Sequence, residues 1–277
     1  MPDAAVLRGR AAILRAIRDW MHDRGFLEVQ VPVAVRSGAL EATLEPLALG
    51  DLQLHTSPEF ALKRALASGL GRIYWMGPCF RGEEHGPHHS MEFTMLEWYR
   101  IGCGYRGIAE DTVSLVQACA AAVGVSLPPV ERLSFAEALA RHAREPVPED
   151  PMERLRIWVN DVETRLESPT LVMDYPASDA AFSALRGDVA ERFELYWQGV
   201  ELANAFTELL DPTELSARQL ESGNAREAEG RSPHPIDPRL NEAVGRHPRA
   251  GGIALGVDRL VMLLLGLTSI HDARIQP

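Results

Sequence analysis

The sequence predicts an α+β fold in which antiparallel hairpins build a large central sheet and helices flank it. Three stretches carry that prediction. Ile73 to Phe80 (IYWMGPCF) is rich in β-branched and aromatic residues, Gly82 to Ser90 is too rich in Gly, Pro and His to continue it, and strict alternation resumes from Glu92 to Tyr99; the pattern reads as strand, loop, strand. In Arg192 to Leu209 (RFELYWQGVELANAFTEL), Gln198-Gly199 has the composition of a two-residue hairpin turn. Ala250 to Gly266 (AGGIALGVDRLVMLLLG) passes from a glycine-rich strand into an apolar helix.

The remaining elements follow in order along the chain. Arg10 to Val33 begins as a helix with apolar positions at Ile13, Leu14, Ile17, Trp20 and Met21, then runs through Gly25-Phe26-Leu27-Glu28-Val29 into Val31-Pro32-Val33. Thr56-Ser57-Pro58-Glu59 is a helix N-terminal signature leading into Phe60 to Ala67. Arg106 to Ala122 is a third helix, ended by Gly124 and the Pro128-Pro129 break. Arg132 to Asp150 is expected to be helical and then a Pro/Glu-rich surface segment, with Arg144 to Met152 a connector. Glu214 to Arg231 is a charged helix whose large apolar residues are Leu215 and Leu220. No internal repeat or low-complexity tract divides the 277 residues, so a single domain, 1–277, is expected.

Period two sorts the chemistry of the strands. Phe93, Met95, Glu97 and Tyr99 share one face, beside a loop carrying Arg81, Glu83 and His89. An aromatic ring, a carboxylate, a phenol and cations suit a purine, a phosphate and an ammonium group. In the second hairpin Trp197 should oppose Val200, Tyr196 Glu201 and Leu195 Leu202, so Glu194 and Glu201 converge on one face. Two such carboxylates repel unless a cation sits between them, and an octahedral Mg²⁺ bridging nucleotide phosphates is an apt partner. Asn204, Phe206 and Glu208 have the opposite parity to Glu201, so a bulge must intervene if they are to face the same way. Arg259 lies near a helix start, where phosphate is favoured.

Composition narrows the class. Lys and Arg total 28 against 39 Asp and Glu, a formal net charge of -11, so no broad electrostatic footprint for nucleic acid is visible. Cys79, Cys103 and Cys119 are scattered without metal spacing and read as reduced thiols of a cytoplasmic protein. The longest apolar run, Leu260 to Leu267, is too short to span a bilayer, and no secretory signal pattern precedes Arg8.

The words FRGEE, EFTMLEWY and GVDRLVML resemble motifs 2 and 3 of the class II aminoacyl-tRNA synthetases, lysyl branch, and Arg10 to Val33 resembles motif 1. The resemblance implies the class II catalytic fold, a homodimer formed through motif 1, and use of ATP with Mg²⁺. In ATP binding it implies Arg81 on the substrate carboxylate and α-phosphate, Glu83 on the adenine amine, Phe93 stacked on the base and Arg259 on the γ-phosphate. His89, Ser90, Leu202 and Gly256 complete the nucleotide site, and Glu194 and Glu201 hold the metal. For a lysine-like amino acid it implies Glu59 on the α-ammonium, Glu97, Tyr99 and Glu208 at the side-chain amine, and Ser57, Pro58 and Asn204 as further contacts.

Motif 1 begins within about ten residues of the start, which leaves no room for the anticodon-binding domain of a lysyl-tRNA synthetase. Together with TSPE, GVELAN, HPID and GIALGVDRLVM, this makes the chain most similar to the stand-alone ligases that modify elongation factor P. Activation of lysine or (R)-β-lysine and transfer to a lysine of elongation factor P is the activity so implied; tRNA is the less favoured acceptor, and no membrane is involved. The sequence departs from the family at Gly82, at Ser90-Met91 where Asn-Pro is common, at Ala205, and at Ala254, where glycine is usual and the pocket floor would change.

Overall fold

The computed structural model describes residues 2–38 and 41–276. Helix α1 (Ala4–Asp23) is followed by the short strands β1 (Leu27–Glu28), β2 (Ala34–Val35), β3 (Ala48–Leu49) and β4 (Leu52–Leu54), then by helix α2 (Glu59–Ala67) and the long strands β5 (Arg72–Phe80) and β6 (Glu92–Ile101). Helix α3 (Tyr105–Ala122) leads to β7 (Glu131–Ser134), α4 (Phe135–His142) and α5 (Pro151–Ile157). Strands β8 (Thr170–Pro176), β9 (Leu185–Arg186), β10 (Val189–Trp197) and β11 (Val200–Thr207) precede helices α6 (Pro212–Ala228) and α7 (Pro238–Val244), and the chain closes with β12 (Ala250–Gly256) and α8 (Val257–Leu264).

Nine strands form one sheet in the order β1-β5-β6-β12-β11-β10-β8-β7, with β9 paired to β10, while β2, β4 and β3 form a small separate sheet. Pairing in the large sheet is parallel at the two ends, β1 with β5 and β7 with β8, and antiparallel between them. The antiparallel centre permits one buried and one ligand-bearing face. On the buried face, Leu96 and Trp98 of β6, Phe193 and Leu195 of β10 and Ile253 and Leu255 of β12 pack against α1, α3 and α8. Fully burying a side chain such as Trp98 or Phe193 contributes roughly 2–3 kcal/mol each, and this face anchors the sheet.

Local chemistry explains the helix boundaries. Asp3 caps α1 by accepting from the Ala5 N–H, so the helix starts six residues ahead of Arg10, and Ile13, Ile17, Trp20 and Met21 turn inward as their spacing requires. The expectation of a helix from Arg132 needs correction. Glu131–Ser134 pairs with β8, and Ser134 with Glu137 forms a capping box that starts α4 at Phe135. Similarly, Asp150 caps α5, so the connector ends at that residue and not at Met152. The motif 1 strand pairs only over Leu27–Glu28; beyond it, ladder pairing resumes at Ala34–Val35 in the small sheet.

The hairpin of β10 and β11 turns at Gln198 and Gly199, with φ of 51° and 70°, the left-handed pair that a two-residue hairpin demands. Trp197 opposes Val200 and Tyr196 opposes Glu201 as expected. Leu195 then opposes Ala203, not Leu202, because the register slips by one residue there. Leu202 is therefore the bulge, and beyond it Asn204 opposes Glu194 and faces the same side as Glu201.

Candidate active site

The face of the sheet opposite α1 and α3 carries a cavity of about 330 Å³ that runs from the loop between β5 and β6, across β6, β12 and β11, to the start of α2. Arg81, His89, Ser90, Phe93, Glu194, Glu201, Leu202, Gly256 and Arg259 line it, and so do Ser57, Glu59, Glu97, Tyr99 and Asn204. Three residues singled out from sequence do not line it. Glu83 is exposed on the loop with φ of 63°, and Glu84 lines the cavity in its place. Pro58 precedes α2 and lines a neighbouring cavity instead. Glu208 is buried outside the lining, against Gly252 and Tyr99, which do line it.

Arg259 at the head of α8 is held on three sides. Its Nε donates to the His88 carbonyl at 3.1 Å, Nη1 to the Glu201 carbonyl at 2.8 Å, and Nη2 to His89 Nε2 at 2.7 Å. For His89 to accept, that nitrogen must be unprotonated, and burial followed by the Arg259 charge does lower the His89 pKa. The Arg81 guanidinium lies over the Phe93 ring, 5.1 Å from its centroid, with Nε toward the Thr56 carbonyl at 3.4 Å. Two cations and an aromatic ring thus line one cavity, a set that suits a triphosphate and a stacked base.

Glu201 and Glu194 converge as the alternation requires, but their surroundings differ. Glu194 is satisfied by Arg192, by Tyr175 Oη at 2.6 Å and by Tyr196 Oη. The Glu201 carboxylate receives no hydrogen bond among the described residues, and burial followed by the Glu194 charge pushes its pKa up to about 7 against the pull of Arg259 and Arg192. No group of three or more His, Cys, Asp or Glu among the described residues is arranged to hold a metal by itself.

At the acidic end of the cavity, Glu97 accepts from Ser57 Oγ and Tyr99 Oη, both at 2.7 Å. Burial, then the Glu59 charge, raises the Glu97 pKa to about 8 in spite of those two donors. Lys63, on α2, was not singled out from sequence. Its ammonium stands 2.6 Å from Glu59 Oε1 and 2.7 Å from Glu208 Oε2, with 4% of the side chain exposed. Burial alone would lower the Lys63 pKa, yet the charges of Glu208 and Glu59 hold it above the ordinary lysine range. The i, i+4 spacing to Glu59 was the available signal. Arg192 was likewise readable, sharing Glu194's face by period two, whereas the choice between Glu83 and Glu84 depends on loop conformation.

The glycines of β12 answer two separate needs. A Cβ on Gly251 would come within 2.5 Å of Ile108 on α3, a matter of helix packing. One on Gly252 would meet Glu208 Oε1 at 2.3 Å and the Tyr99 ring at 2.4 Å, so glycine there keeps the acidic pocket open.

Comparison with known proteins gives the family. The family model of the class II tRNA synthetases (D, K and N) matches residues 3–277. The chain is 36% identical over 312 residues to the elongation factor P–(R)-β-lysine ligase of Yersinia enterocolitica, covering 98% of this chain and 94% of that one. It is 37% identical over 316 residues to the ligase of the same name from Erwinia tasmaniensis, covering 98% and 95%. The corresponding protein of Salmonella paratyphi B is 35% identical over 313 residues, with the same coverage of 98% and 95%. The α+β architecture, the match along nearly the whole chain and the ATP-dependent ligase chemistry that goes with both lead to one conclusion: the chain belongs to the class II tRNA synthetases of the D, K and N group.

Proposed function

We propose that the protein uses ATP to activate a lysine-like amino acid, (R)-β-lysine, as its adenylate and transfers it to a lysine side chain of elongation factor P. The observation that carries this reading is the continuity of one cavity, with Arg81, Arg259 and Glu201 at one end and Glu59, Glu97 and Tyr99 at the other. A cationic and an acidic end, joined in this way, suit a triphosphate and a diammonium amino acid held in line. A neutral side chain in the acidic end would leave buried carboxylates unpaired, which gives the selectivity its physical basis. The relatives' names supply the acceptor.

In the first step a carboxylate oxygen of the amino acid attacks the α-phosphorus, the bond from that phosphorus to the bridging oxygen breaks, and pyrophosphate leaves. Arg81 lies where it can neutralise both reacting anions, and Arg259, fixed by His88, His89 and Glu201, holds the outgoing phosphates. Little proton transfer is needed, so positioning and charge stabilisation carry the rate. In the second step an acceptor amine attacks the carbonyl carbon, AMP leaves with the C–O electron pair, and the amine loses a proton. Phe93 is the stacking surface proposed for adenine, and Asn204 a contact of the amino acid.

Mg²⁺ fits the acidic pair. Glu201 is a half-buried carboxylate without a hydrogen bond among the described residues, and a cation held by it would reverse the rise in its pKa. Glu194, already satisfied by Arg192, Tyr175 and Tyr196, would fix Arg192 and act at longer range. When bound, the ion would add positive charge at the phosphates. We further infer one catalytic domain, a homodimer formed through residues 10–33, and a cytoplasmic setting. The three cysteines are unpaired, and no helix among the described residues is long and apolar enough to cross a membrane.

A tRNA acceptor is the second reading, favoured by the family to which the chain belongs. Intact-mass analysis of elongation factor P after reaction with ATP and β-lysine, beside a tRNA-charging assay, separates the two. The expected result is one β-lysyl adduct on the protein and no charged tRNA. Efficient charging without a mass change on the protein would overturn the proposal.

A further inference from the structure

Lys63 is a buried cation that neither the nucleotide half nor the substrate half of the site requires on its own. It stands behind the acidic end of the cavity, outside the lining, and joins two carboxylates from distant parts of the chain: Glu59 at the start of α2 and Glu208 just beyond β11. Glu59 lines the cavity, whereas Glu208, with its side chain fully buried, does not. Neither Glu208 oxygen has a hydrogen bond of normal geometry among the described residues, and its ion pair there is with Lys63, 2.7 Å from Oε2. The charged and titratable groups facing this ammonium are Glu59 from its own helix, Glu97 from β6, Glu208, and His247 from the segment before β12, with Tyr99 beyond, next to the three carboxylates.

We propose that Lys63 is a positioning residue for amino-acid recognition: its ammonium ties Glu59 to Glu208, fixes the Glu59 carboxylate at the cavity wall and holds Glu208 beside Gly252. Charge balance supports this arrangement. With all three ionised, Glu59, Glu97 and Glu208 carry three negative charges, and Lys63 reduces the sum to two, the number that the two ammonium groups of the amino acid neutralise. Without Lys63 the pocket would hold a surplus buried carboxylate, which would protonate instead of binding an amine. The inference rests on the proposed activation of a lysine-like amino acid and assigns how that specificity is built.

The test is pyrophosphate exchange by the full chain with ATP and either lysine or β-lysine, followed from about pH 6 to about pH 9. Lys63→Met should raise the amino-acid KM on the order of 50-fold, leave the ATP KM within about twofold, and move the acid limb of the profile upward by roughly one pH unit. A merely structural role would lower kcat and thermal stability without moving that limb. Lys63→Arg keeps the charge while changing its reach, so the amino-acid KM should rise about tenfold with the limb unmoved. If Lys63→Met does not fold, the Arg variant decides, and a wild-type amino-acid KM in it would overturn the role. An unmoved KM and acid limb in folded Lys63→Met would do the same. Absence of exchange by the wild-type protein with both amino acids would instead sink the functional reading, and the inference with it.

Discussion

At the scale of single residues, the site's chemistry was legible wherever a strand's alternation decided which way a side chain points. Glu97 and Tyr99 face the cavity for that reason, and so do Phe93 and Glu201. Glu83 illustrates where the argument stops, because neighbouring glutamates on an irregular loop have no periodicity to sort them. Arg81 is the sharpest test of the reading. Arg81→Ala should abolish most amino-acid-dependent pyrophosphate exchange, a loss of about 3 kcal/mol or more of transition-state stabilisation, in a protein that keeps its fold. Near wild-type exchange would refute the assignment. Glu97 makes a prediction of opposite sign for stability and for binding. Its pKa, raised to about 8 from 4.5 by burial and by Glu59, means that the folded state binds the proton more tightly than the unfolded chain. The resulting stability is complete below about pH 4.5 and is lost as pH rises to about 8. Glu97→Gln removes that loss, so above pH 8 the free variant should be more stable than wild type by roughly 2–4 kcal/mol, while its amino-acid KM rises steeply. Equal unfolding midpoints at low and high pH in wild type would contradict the shift. Binding should run the other way, since a substrate ammonium needs Glu97 ionised: affinity for the amino acid increases with pH through the same range.

At the scale of elements, the turn of the β10–β11 hairpin could be read from Gln198-Gly199, but the position of its bulge could not. A bulge depends on where two ladders can both be satisfied, and Leu202 carries no residue-level mark of it. The notable consequence is that Ala205, where a glycine is commonly found, need not bend the strand at all. Strand β7 was missed for a related reason: four residues, paired in parallel with a partner more than thirty residues away, leave little local signal beside the strong cap at Ser134. One tie between elements carries a prediction. Asp258, buried at the head of α8, accepts from Arg10 on α1 at 2.6 Å and from the Thr94 N–H on β6 at 2.7 Å. Asp258→Ala leaves a largely buried guanidinium without its counter-charge, held by Thr94 Oγ1 and the Ala273 carbonyl alone, and takes the acceptor from a backbone donor, which should destabilise the protein by roughly 3 kcal/mol. The urea midpoint should fall with the slope unchanged; an unshifted midpoint would show that the tie contributes nothing.

At the scale of the whole molecule, the amino-acid sequence announces the catalytic architecture through three motifs, yet says little about what covers its surfaces. The N-terminal segment shows the limit. Helix α1 buries Ile13, Ile17, Trp20 and Met21 in the core of its own chain, so the apolar face of the helix that the motif 1 resemblance put in an interface is already used within one chain. What is left over is β1, a two-residue strand at the edge of the large sheet, with Leu27 51% exposed. An edge strand with unpaired backbone groups and an apolar side chain in water is an arrangement that folded proteins normally cover, and a second copy meeting it about a two-fold axis would do so with like surfaces. Light scattering at low micromolar concentration should therefore give twice the mass of one chain. Leu27→Arg, which places two like charges face to face across such an axis, should shift the protein to monomer while leaving the unfolding midpoint of the separated chain near that of its parent. A wild-type protein that is strictly monomeric and fully active would overturn the dimer, and a Leu27→Arg dimer would move the interface elsewhere on the molecule.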